Sequence, residues 1–327
     1  MADMIRVGPL GRDVARVALG TSPMGGGQWA GEADERRSTA TVLRALELGI
    51  DMIDTAPAYG HGLSERIVGR ALADAGARDR AVIATKCGIV WDDGGELRHD
   101  ASRESILREA EASLERLRTD RIDLYQLHFP DERTPIRETA ETLGRLLEEG
   151  TIRAIGVCNL SAEQMREWSA HAPLHVVQDR YSIFDRDVEP EVLPYCRERG
   201  LVFVAYSPLA RGLLTGTMQP GREPSDAAHD RPMFHGAEYH RHLIAAERLG
   251  HWADELQGKP LPALAARWVL DRAGGIALWG ARRPEHLDVV EEVWDWRLDE
   301  PGLRKIDRIV SEALDTKAVR MAPARPL

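Results

Sequence analysis

A carboxylate, a phenol, an ammonium and an imidazole stand at the ends of short apolar runs. They are Asp54 after Asp51-Met52-Ile53, Tyr59 five residues on in DTAPAYG, Lys86 closing AVIATK, and His128 closing DLYQLH. If those runs are neighbouring strands, the four groups converge, and together they suit one task. A carbonyl that receives hydride becomes an alkoxide and must be protonated, which a tyrosine hydroxyl can do if its pKa is drawn from about 10 toward neutrality. Lys86 as a nearby cation would draw it down by stabilising the phenolate. Asp54 would keep Lys86 charged and aimed, offsetting the cost of burying a lone ammonium. A neutral His128 would donate a hydrogen bond to the carbonyl oxygen. Taken singly, Asp54 reads as well as a turn cap and Tyr59 as a half-buried aromatic. Only their joint placement points to a site.

The elements that must position them follow from the hydrophobic pattern. Strand-like runs fall at 16–20, 50–53, 81–85, 122–127, 153–157, 175–178, 201–206 and 275–280. Amphipathic stretches lie between them. In ERRSTATVLRALELG, Val42, Leu43, Leu46 and Leu48 recur at helical spacing, with Gly49 ending the pattern. In SRESILREAEASLERL, Ser102, Glu104 and Ser105 make an acidic, capped first turn, while Ile106, Ala110, Leu114 and Leu117 line one face. Runs that are nearly all apolar, alternating with helices, imply parallel strands covered on the outside. Eight such units predict an α/β fold, a (β/α)8 TIM barrel spanning 1–327 as a single domain. The first residues, MIRVGPLGRDV, read as a hairpin able to plug the barrel bottom. The Gly-, Pro- and His-rich stretch from Ala210 to about His240 reads as a long functional or mobile loop.

Composition excludes several classes. With 327 residues the chain suffices for one large barrel, and a formal charge of −10 argues against a nucleic-acid phosphate binder. No apolar run approaches membrane-spanning length and no secretory leader is apparent, so cytoplasmic residence is the expectation. Cys87, Cys158 and Cys196 lack metal-ligand spacing, and His229, His235, Glu238, His240 and His242 match no ligand set and read as solvated loop residues, so no metal is expected.

In such a barrel chemistry sits at the C-terminal strand ends. Those ends carry Gly20-Thr21, Asp54, Lys86, His128, Asn159, Gln178, Tyr206-Ser207 and Gly280 followed by Arg282-Arg283. A rim built for stability alone has no need of so many polar groups. Trp29, Tyr59, Trp91 and Phe129 form an aromatic wall suited to aldehydes with apolar or aromatic substituents, or a lid.

The motifs DTAPAYG, GLSERIVGRAL, VIATKCG, DLYQLHFPD, IRAIGVCNLS, AYSPLARGLLTG and GARRPEHLD, from about residue 16 to 310, resemble the aldo-keto reductase superfamily. The LWGAR segment and the tail RMAPARP are most similar to its bacterial NADP-dependent aldehyde reductases. The resemblance implies a barrel with extra C-terminal helices, a nicotinamide cofactor, and Tyr59 as acid supported by Asp54, Lys86 and His128. It also implies that Asn159 and Gln178 hold the nicotinamide amide, that Tyr206 stacks on the ring, and that Ser207, Leu209, Arg211 and Gly212 receive the pyrophosphate, with Gly20, Thr21 and Gly280 along the same cleft.

The glycines Gly25-Gly26-Gly27 do not have dinucleotide-fingerprint spacing and read as a mobile loop. Pro284 reads as the first-turn proline of a helix, so a phosphate there would meet a helix N-terminus together with Arg282, Arg283 and His286. Two arginines suit a 2′-phosphate and predict NADPH. Three positions depart from the family pattern: Cys158 where serine is usual, His286 where arginine is frequent and Val290 where asparagine is frequent. They predict modest NADP(H) affinity. The leading reading is reversible NADPH-dependent reduction of aldehydes or ketones, with a small carbonyl or alcohol as partner and neither nucleic acid nor membrane involved. Two alternatives are an NADP-binding redox-sensing regulatory subunit with little catalysis and a sugar or keto-sugar oxidoreductase using the same site. The oligomeric state is not legible.

Overall fold

A computed structural model describes residues 2–26, 32–92, 94–222, 224 and 230–315. Twelve strands occur among them: β1 Met4–Val7, β2 Arg12–Ala15, β3 Val17–Gly20, β4 Met52–Asp54, β5 Val82–Cys87, β6 Ile89–Trp91, β7 Leu97–His99, β8 Ile122–Leu127, β9 Ile152–Cys158, β10 Val176–Arg180, β11 Val202–Tyr206 and β12 Ile276–Gly280. Eight of them close a parallel barrel in the order β3-β4-β5-β8-β9-β10-β11-β12, with β12 pairing back onto β3. These are the eight apolar runs of the sequence, shifted at their ends by no more than two residues.

The crossovers are α1 Glu35–Glu47, α2 Leu63–Asp74, α3 Arg103–Leu117, α4 Ile136–Glu148, α5 Ala162–Ser169 and α6 Val192–Arg199. Then come α7 Gly236–Gln257 and α8 Leu261–Ala273 before β12, and α9 Glu300–Leu314 after it. Local chemistry sets where they start and stop. Ser102 accepts from the Ser105 amide at the start of α3, and Ser161 and Gln164 form a reciprocal capping box on α5. Gly200 ends α6 with φ 65°, a left-handed turn that glycine enters without a Cβ penalty.

Two apolar cores result. One lies between sheet and helices. The other fills the barrel with alternate strand residues, among them Ala18, Met52, Val82, Ala84, Leu124, Ala154, Val176, Val204 and Ile276, together with Val7 and Val14 of the β1–β2 hairpin. The hairpin therefore plugs the N-terminal end, as its sequence suggests. A second hairpin, β6–β7, is inserted between β5 and α3, its turn held by Asp92 Oδ1 accepting from the Gly94 and Glu96 amides at 2.9 Å each.

Three local expectations change. The stretch after Ala210 is not a loop as far as His240, because α7 begins at Gly236; Glu238, His240 and His242 are helical, and His242 is buried with Nδ1 2.7 Å from the Glu238 carbonyl. An amphipathic run that opens with glycine and histidine hides its own start. Pro284 opens a four-residue 3₁₀ turn, Pro284–Leu287, rather than an α-helix, and a second such turn, Val290–Val293, precedes α9. Gly25 is not part of an open loop: it ends the 3₁₀ turn Ser22–Gly25 and is buried. Trp29, Gly27, His229 and the tail 316–327 lie outside the described residues.

Candidate active site

Inside the barrel the inward-facing positions turn polar one step beyond the apolar core. Asp54 follows Met52 by two residues, Lys86 follows Ala84, Gln126 follows Leu124, Gln178 follows Val176 and Tyr206 follows Val204. The period-2 alternation that builds the core thus delivers these side chains to one end of it.

Lys86 is the centre. It is fully buried, and its ammonium donates to Asp54 Oδ1 at 2.5 Å, to the Thr55 carbonyl at 2.9 Å and to Tyr59 Oη at 3.4 Å. An ammonium has three donors and no lone pair, so all its hydrogens are committed and it can take none from Tyr59. The phenolic proton must point elsewhere. The ring of Tyr59 meets His128 edge-on, with centroids 5.8 Å apart, so acid and imidazole face one space. Tyr59 is pinned from behind, since Gly25 and Gly60 pack backbone to backbone. A Cβ at Gly25 would lie 2.5 Å from the Tyr59 carbonyl carbon, and one at Gly60, whose φ is 64°, would lie 2.1 Å from the Gly25 oxygen.

Electrostatics depart from the sequence expectation at one group. The Tyr59 hydroxyl is not drawn toward neutrality but pushed up to about 12, because burial outweighs the opposing pull of Lys86, and Asp54 adds to the rise. For Lys86 burial acts downward, yet the carboxylate of Asp54 and the oxygen of Tyr59 prevail and hold its pKa above the ordinary value. His128 is held well below its ordinary value by burial, then by Lys86 and His99, and is neutral at physiological pH. Its Nδ1 is buried without a partner. The tautomer that leaves a lone pair there carries its hydrogen on Nε2.

Asp54 is held on every side. Its Oδ2 accepts from Gln126 at 3.1 Å and Gln178 at 2.8 Å, and its backbone carbonyl accepts from the Thr21 hydroxyl at 2.9 Å. Thr21 in turn accepts from Ser64 at 2.7 Å, so its hydroxyl supports Asp54 from below. Cys158, the last residue of β9, has Sγ 3.9 Å from Gln126 Oε1, and burial keeps its thiol protonated by raising its pKa. Gln126 was not singled out from the sequence. Its signal was available: it stands two residues after Leu124 on β8 and two before His128, which directly follows that strand.

The other predicted contacts ring the mouth. Asn159, with φ 59°, donates Nδ2 to the His128 carbonyl at 3.0 Å and accepts the Tyr206 hydroxyl on Oδ1 at 2.9 Å. Gly20 and Gly280 are side by side in register between β3 and β12, which leaves that stretch of the mouth without side chains. Ser207, Ala210 and Arg211 have φ of 56°, 46° and 52°, and Gly212 follows at 107°, so backbone turns sharply after Leu209. Such left-handed non-glycine residues cost about 1–3 kcal/mol each and cluster where function demands a shape. Arg211 lies near Arg180. Arg282 and Arg283 are exposed, and Arg283 Nε donates to His286 Nε2 at 2.7 Å. Burial, then the two arginines, lower the His286 pKa. The Trp279 indole donates to the His286 carbonyl at 2.9 Å and fixes this turn, while Val290 is buried.

Of the predicted aromatic wall, Trp91 packs edge-on against His61 at 5.2 Å and Phe129 stacks on His99 at 5.5 Å. The two histidines, both missed in the sequence, make this wall amphipathic. A cleft of about 1010 Å³ leads outward from Phe129 and Asn159 past Arg98, His99, Arg133 and Gln164. Among the described residues no His, Cys, Asp or Glu cluster could hold a metal ion, and no helix is long and apolar enough to cross a membrane.

A parallel eight-stranded barrel whose C-terminal mouth joins a buried Asp–Lys pair, a tyrosine and a neutral histidine defines a class, and residues 16–311 match the Aldo/keto reductase family. The chain belongs to that family of oxidoreductases, which use nicotinamide cofactors. It is 43% identical over 307 residues to the aldo-keto reductase YhdN of Bacillus subtilis, covering 93% of this chain and 92% of that one. It is 40% identical over 290 residues to the NADH-specific methylglyoxal reductase of Escherichia coli, covering 84% and 88%. Among solved structures, the glycerol dehydrogenase of Gluconobacter oxydans superposes with a TM-score of 0.90 at 39% identity, covering 99% and 98% of the two chains.

Proposed function

We propose that this protein is an NADPH-dependent reductase that reversibly converts aldehydes or ketones to alcohols, with Tyr59 as general acid. The observation that carries this reading is the commitment of all three Lys86 hydrogens, one of them to Tyr59 Oη. It leaves the phenolic proton as the one to be given away. A pKa of about 12 keeps that proton in place at neutral pH, as the acid of a reduction requires. When the proton leaves, the Lys86 hydrogen bond stabilises the phenolate. His128, neutral and with hydrogen on Nε2, donates to the carbonyl oxygen and orients it. Asp54 keeps Lys86 charged and directed.

The mouth suits a dinucleotide. The carboxamides of Asn159 and Gln178 match a nicotinamide amide, the half-buried Tyr206 offers a ring face, and the bare backbone of Gly20 and Gly280 leaves room. The sharply turned 207–212 backbone, with Arg211, suits a pyrophosphate, and Arg282, Arg283 and His286 suit a 2′-phosphate. When bound, the nicotinamide supplies the hydride. Against the 2′-phosphate preference stands the name of the NADH-specific relative, so both cofactors belong in the test.

A second reading keeps the site and changes direction and substrate: oxidation of a polyol or sugar. The polar cleft beyond Phe129 and the likeness to a glycerol dehydrogenase favour it. A screen of short aldehydes, aromatic aldehydes, keto-sugars and polyols, with NADPH and NADH side by side, decides between the two. Turnover of carbonyls with NADPH supports the reductase. Tight cofactor binding with no turnover in either direction would overturn it in favour of a redox-sensing subunit.

A further inference from the structure

Gln126 is completely buried on the inner face of β8, and the structure fixes which way its carboxamide points. Asp54 Oδ2 can only accept, so Gln126 Nε2 faces it at 3.1 Å. Oε1 then faces two donors, Gln178 Nε2 at 3.4 Å and Cys158 Sγ at 3.9 Å. The reverse orientation would set an oxygen against a carboxylate. The cradle is shaped for this side chain: a Cβ on Gly156 of the neighbouring β9 would lie 2.8 Å from Gln126 Cγ. Gln178 is constrained in turn. Its Nε2 is committed to Asp54 Oδ2 at 2.8 Å and to Gln126 Oε1, so the atom it has left to present is its oxygen.

We propose that Gln126 is a positioning residue that fixes the Gln178 carboxamide as a hydrogen-bond acceptor for the nicotinamide amide and completes the cage that aims Lys86 at Tyr59. This rests on the oxidoreductase reading above. Beside the direct bond from Gln178 to Asp54, it gives the proton-delivering and cofactor-holding halves of the mouth a second link, a buried amide joined to Asp54 on one side and Gln178 on the other. Gln126 touches no reacting atom; it acts through the two residues it holds.

The test uses the full chain, with NADPH and NADH binding followed by fluorescence in the absence of substrate, and turnover measured separately, from pH 5 to pH 9. Gln126→Leu removes both the donor and the acceptor, and cofactor affinity should fall by ~10-fold and kcat by several-fold, with the carbonyl KM little changed. Gln126→Glu is the sharper variant. Protonated, it still donates to Asp54 and accepts from Gln178. Ionised, it faces the carboxylate with another negative charge. Its cofactor affinity should therefore approach wild type at pH 5 and decline as pH rises, with an inflection wild type lacks. A Gln126→Glu affinity profile parallel to wild type overturns the proposal, as does a folded Gln126→Leu with affinity within twofold of wild type. If Gln126→Leu does not fold, the Gln126→Glu series decides alone. A wild-type chain that binds neither cofactor overturns the underlying oxidoreductase reading instead.

Discussion

Asp54 and Lys86 are fully buried, whereas Arg282 and Arg283, just past β12 and one strand removed from Asp54's β4, are largely in solvent. The first pair sits on regular strand and is held by neighbouring side chains. On the side proposed to hold the cofactor, Ser207, Ala210 and Arg211 depart from regular backbone into left-handed φ. The contrast fits the work proposed for each side. Moving a proton requires fixed distances and a low-dielectric setting in which one ammonium can outweigh solvent. Holding a ligand that must leave again favours a rim where backbone groups and guanidinium ions reach it and water can return. Buried geometry should therefore govern the chemical step and exposed charge should govern affinity.

Replacing Tyr59 by Phe gives the largest expected effect. Turnover should fall ~10²–10⁴-fold while circular dichroism and cofactor affinity stay as in wild type. Retention of a tenth of the activity would break the division between the two sides.

Lys86→Met leaves Asp54 buried without its cation and should cost about 3–5 kcal/mol in urea unfolding, toward the lower end because Gln126 and Gln178 still donate to the carboxylate. Unchanged stability would show that the pair does not hold the site together.

Removing Arg282 and Arg283 together should weaken NADPH binding by ~10-fold and leave NADH binding within about twofold, with the wild-type preference shrinking as salt is added. Equal weakening of both cofactors would move the 2′-phosphate elsewhere on the rim.

The two directions of reaction should separate with pH. A Tyr59 pKa of about 12 means that reduction shows no loss from Tyr59 ionisation between pH 6 and 9, whereas alcohol oxidation, which needs the phenolate, should rise by up to ~10-fold per pH unit over that range. With His128 neutral throughout, neither profile should carry an imidazole inflection near its ordinary value. A matched inflection near pH 7 in both directions would contradict this.

The smallest effect on turnover lies behind the site. Glu109 on α3 accepts the Gly88 amide at 3.0 Å and 3.2 Å, and its pKa is pushed to about 8 mainly by burial. A carboxyl whose folded pKa exceeds its unfolded value binds more protons when folded, so stability declines as pH rises from about 4.5 to 8. Glu109→Gln should flatten that decline and raise the melting temperature at pH 8, where the ionised carboxyl destabilises wild type most, by on the order of 5–10 degrees. A slope identical to wild type would place the titration elsewhere.

Much of this was legible along the chain. Each barrel strand coincides with an apolar run, because strands covered on both faces must be apolar throughout, and polar residues ending such runs mark the mouth. Gln126 was hidden by the same rule, since a glutamine inside the run DLYQL reads as a flaw in a strand until its alternation with Leu124 and His128 is traced inward. The 3₁₀ turn at Pro284 and the helix start at Gly236 escaped because proline and glycine mark a break in the chain without specifying the element beyond it. The sign of the Tyr59 shift escaped because residue types give the cation but not the depth of burial that opposes it.

By itself the sequence determined the barrel, the end of it where polar side chains gather and the four groups assembled there, since periodicity and residue type are local properties that survive without coordinates. Only the tertiary structure decided how those groups are wired: that Lys86 has no hydrogen left to give, that Asp54 is shared by two amides, that Gly25 and Gly60 press Tyr59 into place, and that the phenol keeps its proton. Hydrogen-bond saturation and desolvation depend on what surrounds an atom in space, and those surroundings come from strands far apart in the chain.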